Sequence, residues 1–182
     1  MKKLEKISII VPCYNESEAI PIFYDEINKV TNNMKQVDFE FIFIDDGSID
    51  DSLNTIKKLA IKDKSVRFLS FSRNFGKEAG MYAGLKYSVG DYVAIMDVDM
   101  QDPPSKIKEM YEIIKSSDYD CVALYSPKHK DYSFFRKLFT SWWYKLIDKI
   151  SSTKQVPGAR DFRLMKRIVV NSIIEMGEYN RY

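Results

Sequence analysis

Apolar runs of strand length alternate along this chain with segments whose apolar residues recur at helical spacing. Ile7 to Cys13 is a β-branched run, and Phe39 to Ile44, Val66 to Phe71, Tyr92 to Met96 and Cys121 to Tyr125 repeat the pattern. Short runs of this kind predict strands buried on both faces. After the first run, Ile20, Phe23, Ile27, Val30 and Met34 step by three and four residues and predict one apolar helix face. Asn15 and Glu18 resemble a capping box ahead of that helix, and Pro21 falls in its first turn. Further helices are predicted from about Asp51, with Leu53, Ile56 and Ala60 inward, and over Gly76 to Ser88, Ser105 to Lys115 and Met165 to Met176. The second of these carries Gly76, Gly80 and Gly84 on one face, which permits close packing against a sheet. Together the elements predict an α/β fold, a mostly parallel, doubly wound sheet with helices on both faces.

In such a sheet, ligands lie beyond the carboxyl ends of the strands. Polar clusters follow the first four runs at that end: Tyr14-Asn15-Glu16, Asp45-Asp46, Ser72-Arg73-Asn74 and Asp97-Val98-Asp99. The last is the most informative, because Asp97, Asp99 and Asp102 put three carboxylates within six residues before Pro103-Pro104. Clustered like charges repel, and each carboxylate needs a partner. A divalent cation removes that penalty, and hard oxygen donors suit Mg²⁺ or Mn²⁺. Mg²⁺ takes one or two protein carboxylates and fills its shell with substrate phosphates, so Asp97 and Asp99 point to a nucleoside diphosphate. Asp102 reads instead as a cap for the following helix, with both prolines in its first turn.

Neither G-x-G-x-x-G nor a P-loop is present; the first loop reads Pro-Cys-Tyr-Asn-Glu. Without glycine-lined amides to cradle phosphate, the neutralising charge falls to the metal. Asp45 or Asp46 can then accept a hydrogen bond from a pyrimidine N–H, and Tyr14 offers a ring face for stacking. These features together predict a nucleoside-diphosphate-sugar site.

The 182 residues suffice for one substantial core, and 45% hydrophobic with 30% charged residues is an ordinary globular balance. A formal net charge of +2 is too small to imply nucleic-acid binding. Cys13 and Cys121 lie in strand-like runs and are expected to be buried free thiols, as in a reducing compartment. The single histidine, His129, sits in a charged stretch expected to be a solvated loop, which excludes zinc sites with several histidines. Neither a signal peptide nor an apolar run of spanning length is read in the chain.

The blocks "VPCYNE", "IDDGSIDDS", "SFSRNFGKEAGMYAGL" and "DVDMQDPP" resemble glycosyltransferase family 2, inverting enzymes of the GT-A fold, in the family's order and spacing. "SRNFGKE", "MQDPP" and "GARDFRLM" are similar to the polyprenyl-phosphate branch, which includes bactoprenol glucosyltransferases and dolichol-phosphate mannosyltransferases. The resemblance implies that Pro12, Tyr14, Glu16 and Asp46 hold uridine, with Asp45 as a neighbour. It implies that Asp97, Asp99 and Gln101 hold the metal and diphosphate, and that Arg73, Asn74 and Lys77 line the donor side. Asp161 matches an aspartate often placed near the acceptor, with Arg160 and Arg163 orienting it or binding phosphate. Val98 and Met100 replace the Ala and Leu common in the branch and leave the carboxylate spacing intact.

From Phe134 to Ile150, apolar pairs recur every four residues among Arg136, Lys137, Lys145 and Lys149. The pattern suits a helix in a membrane interface, a helix packed on the core, or both. The resemblance favours the interface and implies Ser133, Arg136 and Lys137 as contacts of a lipid phosphate. It implies a single catalytic domain over residues 1–182, of a kind that continues in relatives into membrane segments and works at the cytoplasmic face. Paired chains through Trp142 and Trp143 are a further expectation. The function implied is metal-dependent transfer of a sugar, UDP-linked in the first reading, to a polyprenyl phosphate. The alternatives are a family 2 transferase acting on a saccharide hydroxyl, with Asp161 as base, or a non-catalytic nucleotide-sugar-binding module.

Overall fold

A computed structural model describes residues 4–125 and 159–176. The strands are β1 (Glu5–Cys13), β2 (Val37–Asp45), β3 (Val66–Ser70), β4 (Tyr92–Ile95), β5 (Cys121–Tyr125) and β6 (Ala159–Lys166). The helices are α1 (Ala19–Thr31), α2 (Ser52–Lys62), α3 (Lys77–Tyr87), α4 (Lys106–Ser116) and α5 (Arg167–Glu175). The chain divides into two compact units, one of residues 1–123 and 161–182 and one of residues 124–160. In the second, only residues 124, 125, 159 and 160 are described.

The sheet order is β3-β2-β1-β4-β6-β5. β1 pairs in parallel with both β2 and β4, and β2 with β3, as the continuous apolar runs require. The winding reverses between β1 and β4, so a crevice opens beyond their carboxyl ends. Alternation along the strands then divides the core. Ile10, Ile42, Ile44, Val93 and Ile95 form one buried cluster with Met81 and Leu85 of α3 and Val170 of α5. From other strand positions, Phe43 meets Phe23 of α1 edge-on and Tyr92 meets Tyr111 of α4 edge-on.

β6 is a strand that the chain's periodicity did not predict. It runs antiparallel to β4, in register from Tyr92↔Lys166 to Ile95↔Arg163. The helix expected from Met165 therefore starts two residues later, at Arg167. The capping box ahead of α1 is absent as well. α1 begins at Ala19 with no side-chain cap, while Asn15 stands at φ 55° and its Oδ1 accepts the Ile49 amide. α4 begins at Lys106, beyond both prolines, with Ser105 at its N-cap position, so Asp102 is not its cap. Cys121, expected to be buried, is exposed because β5 is an edge strand; Cys13 is buried and both thiols are free.

Of the glycines on the α3 face, Gly80 and Gly84 pack on the sheet and Gly76 does something else. A Cβ at Gly84 would overlap Ile10, and one at Gly80 would sit 3.5 Å from Ile44. Gly76 is the residue before α3, at φ 94°, where its freedom lets the chain turn into the helix.

Candidate active site

Parallel pairing brings the loops after β1 and β2 out of the sheet at the same height, with Cys13 beside Asp45. Hydroxyls and carboxylates of the second loop then accept the backbone amides of the first. Ser48 Oγ takes the Asn15 amide at 3.0 Å, Ser52 Oγ the Glu16 amide at 2.8 Å, and Asp50 the Ser17 amide at 3.1 Å. Asp50 is held near 2: desolvation opposes this, but hydrogen bonds from Ser52 and Ser17 outweigh it. The consecutive aspartates after β2 play internal roles first. Asp45 is buried, accepting from the Ser48 amide and Ser70 Oγ. Asp46 accepts the Phe75 and Gly76 amides at 2.7 and 2.9 Å, which fixes the loop leading into α3.

A cleft of about 350 Å³ lies over these ends. Its walls include Pro12, Tyr14, Glu16, Asp46, Asn74, Lys77, Asp97 and Asp99, all singled out in the sequence. Cys13, Gly76 and Val98 line it too, though their sequence context suggested other roles, because nothing in an apolar or glycine residue announces a wall. Asp45 is not a wall residue, since its side chain points into the protein's own hydrogen bonds. Arg73 is exposed, its guanidinium 4.7 Å over the Phe75 ring, and Arg73 and Gln101 do not line the cleft. The Gln101 amide donates to Asp99 Oδ1 at 3.0 Å, across Met100 at φ 61°. A left-handed methionine costs conformational energy, and here it closes the tight turn that presents Asp99.

Met96 extends the β1–β4 pairing by donating to the Ile10 carbonyl at 3.0 Å, so Asp97 leaves the sheet beside the first loop. Carrying the antiparallel register of β4 and β6 two residues onward sets Asp161 opposite Asp97. Directly opposed like charges repel. The Lys77 ammonium lies between them, 2.7 Å from Asp97 Oδ1 and 2.7 Å from Asp161 Oδ2. Desolvation would lower the Lys77 pKa, yet the two carboxylates outweigh it and hold the value above the ordinary lysine range. Arg163 approaches Asp161 at 3.8 Å.

Negative charge accumulates on the cleft floor. Glu16 is pushed up by desolvation and then by the charges of Asp99, Asp50 and Asp97. Desolvation, followed by Glu16, Asp45 and Asp97, also pushes the Cys13 thiol well up, so it is a neutral wall group. No group of three acidic, cysteine or histidine side chains among the described residues is gathered closely enough to hold a metal unaided. The donor set that is present, two hard carboxylates in a field that favours cations, fits a Mg²⁺- or Mn²⁺-class ion completed by phosphate oxygens. Arg160 lies in the second unit. Ser133, Arg136, Lys137, His129 and the Phe134–Ile150 segment lie outside the described residues. Among described residues no helix is long and apolar enough to cross a membrane.

Known proteins share this chain's sequence pattern and fold. The model of "Glycosyl transferase family 2" matches residues 8–173. A prophage bactoprenol glucosyl transferase homolog of Escherichia coli K12 is 42% identical over 97% of this chain and 57% of its own length. The putative glycosyltransferase CsbB of Bacillus subtilis 168 is 40% identical over 97% of this chain and 53% of its own. The chain thus spans little more than half the length of these relatives. Among solved structures, a Pyrobaculum calidifontis mannosyltransferase in complex with GDP-Man and Mn²⁺ superposes with a TM-score of 0.67 at 17% identity, covering 99% of this chain and 49% of that one. Glucosyl-3-phosphoglycerate synthase of Mycobacterium tuberculosis, with UDP, Mn²⁺ and glucosyl-3-phosphoglycerate, gives 0.59 at 21% identity, over 91% and 58%. The fold is the GT-A fold, and the chain belongs to glycosyltransferase family 2.

Proposed function

We propose that this chain carries the catalytic site for inverting transfer of a hexosyl group from a nucleoside-diphosphate sugar to a polyprenyl phosphate. One observation carries the reading: Asp97 and Asp99 line the cleft at the end of β4, and Lys77, also in its wall, ties Asp97 to Asp161 of β6. Tyr14, Glu16 and Asp46, which line the same cleft, would hold the nucleoside. Asp97 and Asp99 would hold a divalent cation, which when bound neutralises the leaving diphosphate. The names of the bactoprenol glucosyl transferase relatives support glucose as the sugar and a lipid phosphate as the acceptor. Membrane association is part of the proposal, through the Phe134–Ile150 segment and Ser133, Arg136, Lys137 and Arg160.

The acceptor decides how much proton transfer the protein must perform. A sugar hydroxyl loses a proton as it attacks and needs a general base. A phosphomonoester, with a second pKa near ~6, is already largely dianionic at neutral pH. Asp161, 51% exposed and paired with Lys77, then orients the acceptor and needs to remove no proton. The test is transfer of radiolabelled glucose from UDP-glucose, offered undecaprenyl phosphate and, separately, oligosaccharide acceptors. Label in the lipid fraction supports the reading; label only in saccharide would assign Asp161 the role of base instead.

A further inference from the structure

Lys77 opens α3, and its ammonium spans the two carboxylates that β4 and β6 bring face to face. A divalent ion on Asp97 would need the oxygens that Lys77 now faces, and two cations on one carboxylate repel. Lysine suits an exchange of this kind. Its compact charge rides on a flexible four-carbon stem, so it can leave one oxygen and keep another. Asp161 is already the second partner, at 2.7 Å, and remains available when Asp97 is taken.

We propose that Lys77 is a placeholder cation: it neutralises Asp97 and Asp161 until a divalent ion arrives with the diphosphate, then yields Asp97 and remains with Asp161. The inference rests on the donor-site reading above. It gives a physical order to the cleft. A metal alone must part the ammonium from Asp97 with only Asp161 left to hold it, and binds weakly. A metal with nucleotide brings negative oxygens that can receive the displaced ammonium, so metal and donor enter together. Lys77 is thereby a positioning residue that reports donor occupancy on β4 to the acceptor aspartate on β6.

The test is Mn²⁺ binding to the whole chain, followed by electron paramagnetic resonance of the free ion, with and without UDP. The variants are Lys77→Met, Lys77→Gln, Lys77→Arg and Asp97→Asn, with far-UV circular dichroism confirming that each is folded. Without UDP, Lys77→Met and Lys77→Gln are expected to bind Mn²⁺ roughly tenfold more tightly than the parent, as loss of one nearby cation implies at a half-exposed site. Lys77→Arg should stay near the parent value, since it keeps the charge. UDP should narrow the gap between the parent and the two neutral variants. Unchanged or weaker Mn²⁺ binding in both neutral variants overturns the placeholder role. If Asp97→Asn lowers Mn²⁺ binding in the presence of UDP while the neutral variants match the parent, the donor site stands and only the placeholder falls. If Asp97→Asn binds Mn²⁺ and UDP as the parent does, both readings fall.

Discussion

Both ends of the sheet carry carboxylates, and Glu40 at one end is answered differently from Asp97 and Asp99 at the other. At the amino end Glu40 is 4% exposed and surrounded by donors: Ser8 Oγ at 2.5 Å, the Val89 amide at 2.9 Å and Arg67 at 2.9 Å. Ser8 Oγ in turn accepts the Gly90 amide, and Arg167 donates to the Gly90 carbonyl. The network ties β1, β2, β3, the α3–β4 turn and the start of α5 together. At the carboxyl end Asp97, Asp99 and Glu16 share a cleft, and the Lys77 ammonium answers Asp97 there. A carboxylate that serves the fold is given its donors by the protein. Asp45 and Asp46 are satisfied in the same way at the carboxyl end, whereas Asp97 is met by the half-exposed Lys77 ammonium.

The largest effect should separate the two ends by activity. Asp99→Ala is expected to lower glucosyl transfer by at least roughly a thousandfold, the scale of losing a group that stabilises transition-state charge. Its unfolding midpoint in urea should match the parent. Asp161→Asn is expected to retain part of the transfer to a phosphate acceptor, losing about tenfold, because no proton has to be removed. Equal and total loss from both, in initial-rate assays, would break the base-free account.

Removing the amino-end carboxylate should do the reverse. Glu40→Ala is expected to destabilise the fold by about 2–3 kcal/mol in urea titration, leaving Ser8 Oγ and the Val89 amide without their acceptor. Transfer per folded molecule should be unchanged.

The pH dependence sharpens the contrast further. Desolvation alone would raise the Glu40 pKa, but hydrogen bonds from Ser8, Val89 and Arg67 hold it below the ordinary value. Its contribution to stability is therefore complete above the ordinary glutamate range and is lost as pH falls through the lower, folded value. Glu16, raised by burial and by Asp99, Asp50 and Asp97, acts with the other sign, and its cost grows as pH rises above the ordinary value. Stability measured from pH 3 to 7 should show a shallower acid-side slope in Glu40→Gln, the remainder coming from other depressed carboxylates such as Asp50. The same series on Glu16→Gln should show a gain at neutral pH.

Much of this architecture was legible because buried parallel strands advertise themselves as continuous apolar runs. Asp97 and Asp99 could be assigned to a strand end for that reason alone. What was missed depends on partners distant in sequence. Asn15 looks like a helix cap locally, but the Ile49 amide, from the neighbouring loop, takes its side chain. β6 carries the alternation of an antiparallel strand, with Phe162 and Leu164 buried and Asp161 exposed, yet its charged residues masked the pattern. Reading the segment after Met165 as helix hid the register that sets Asp161 against Asp97. Nor can any local pattern announce that Lys77 bridges residues 20 and 84 positions away.

The smallest predicted effect concerns packing under the site. Gly84→Ala is expected to cost about 1–2 kcal/mol, because its Cβ meets Ile10 in a filled core. Gly80→Ala, with ordinary contact distances, should be neutral or stabilising by about 0.5–1 kcal/mol through helix propensity. Thermal melts of the two variants would show opposite signs on one helix face.

In the proposed reading, Asp97 and Asp99 act on the donor through a divalent cation. Calorimetric titration of UDP into the chain, with Mn²⁺ and then with excess chelator, tests it directly, alongside the Asp97→Asn/Asp99→Asn double variant. UDP is expected to bind the parent only with Mn²⁺ and not to bind the double variant even when Mn²⁺ is present. UDP bound equally well in chelator, or by the double variant, would contradict it.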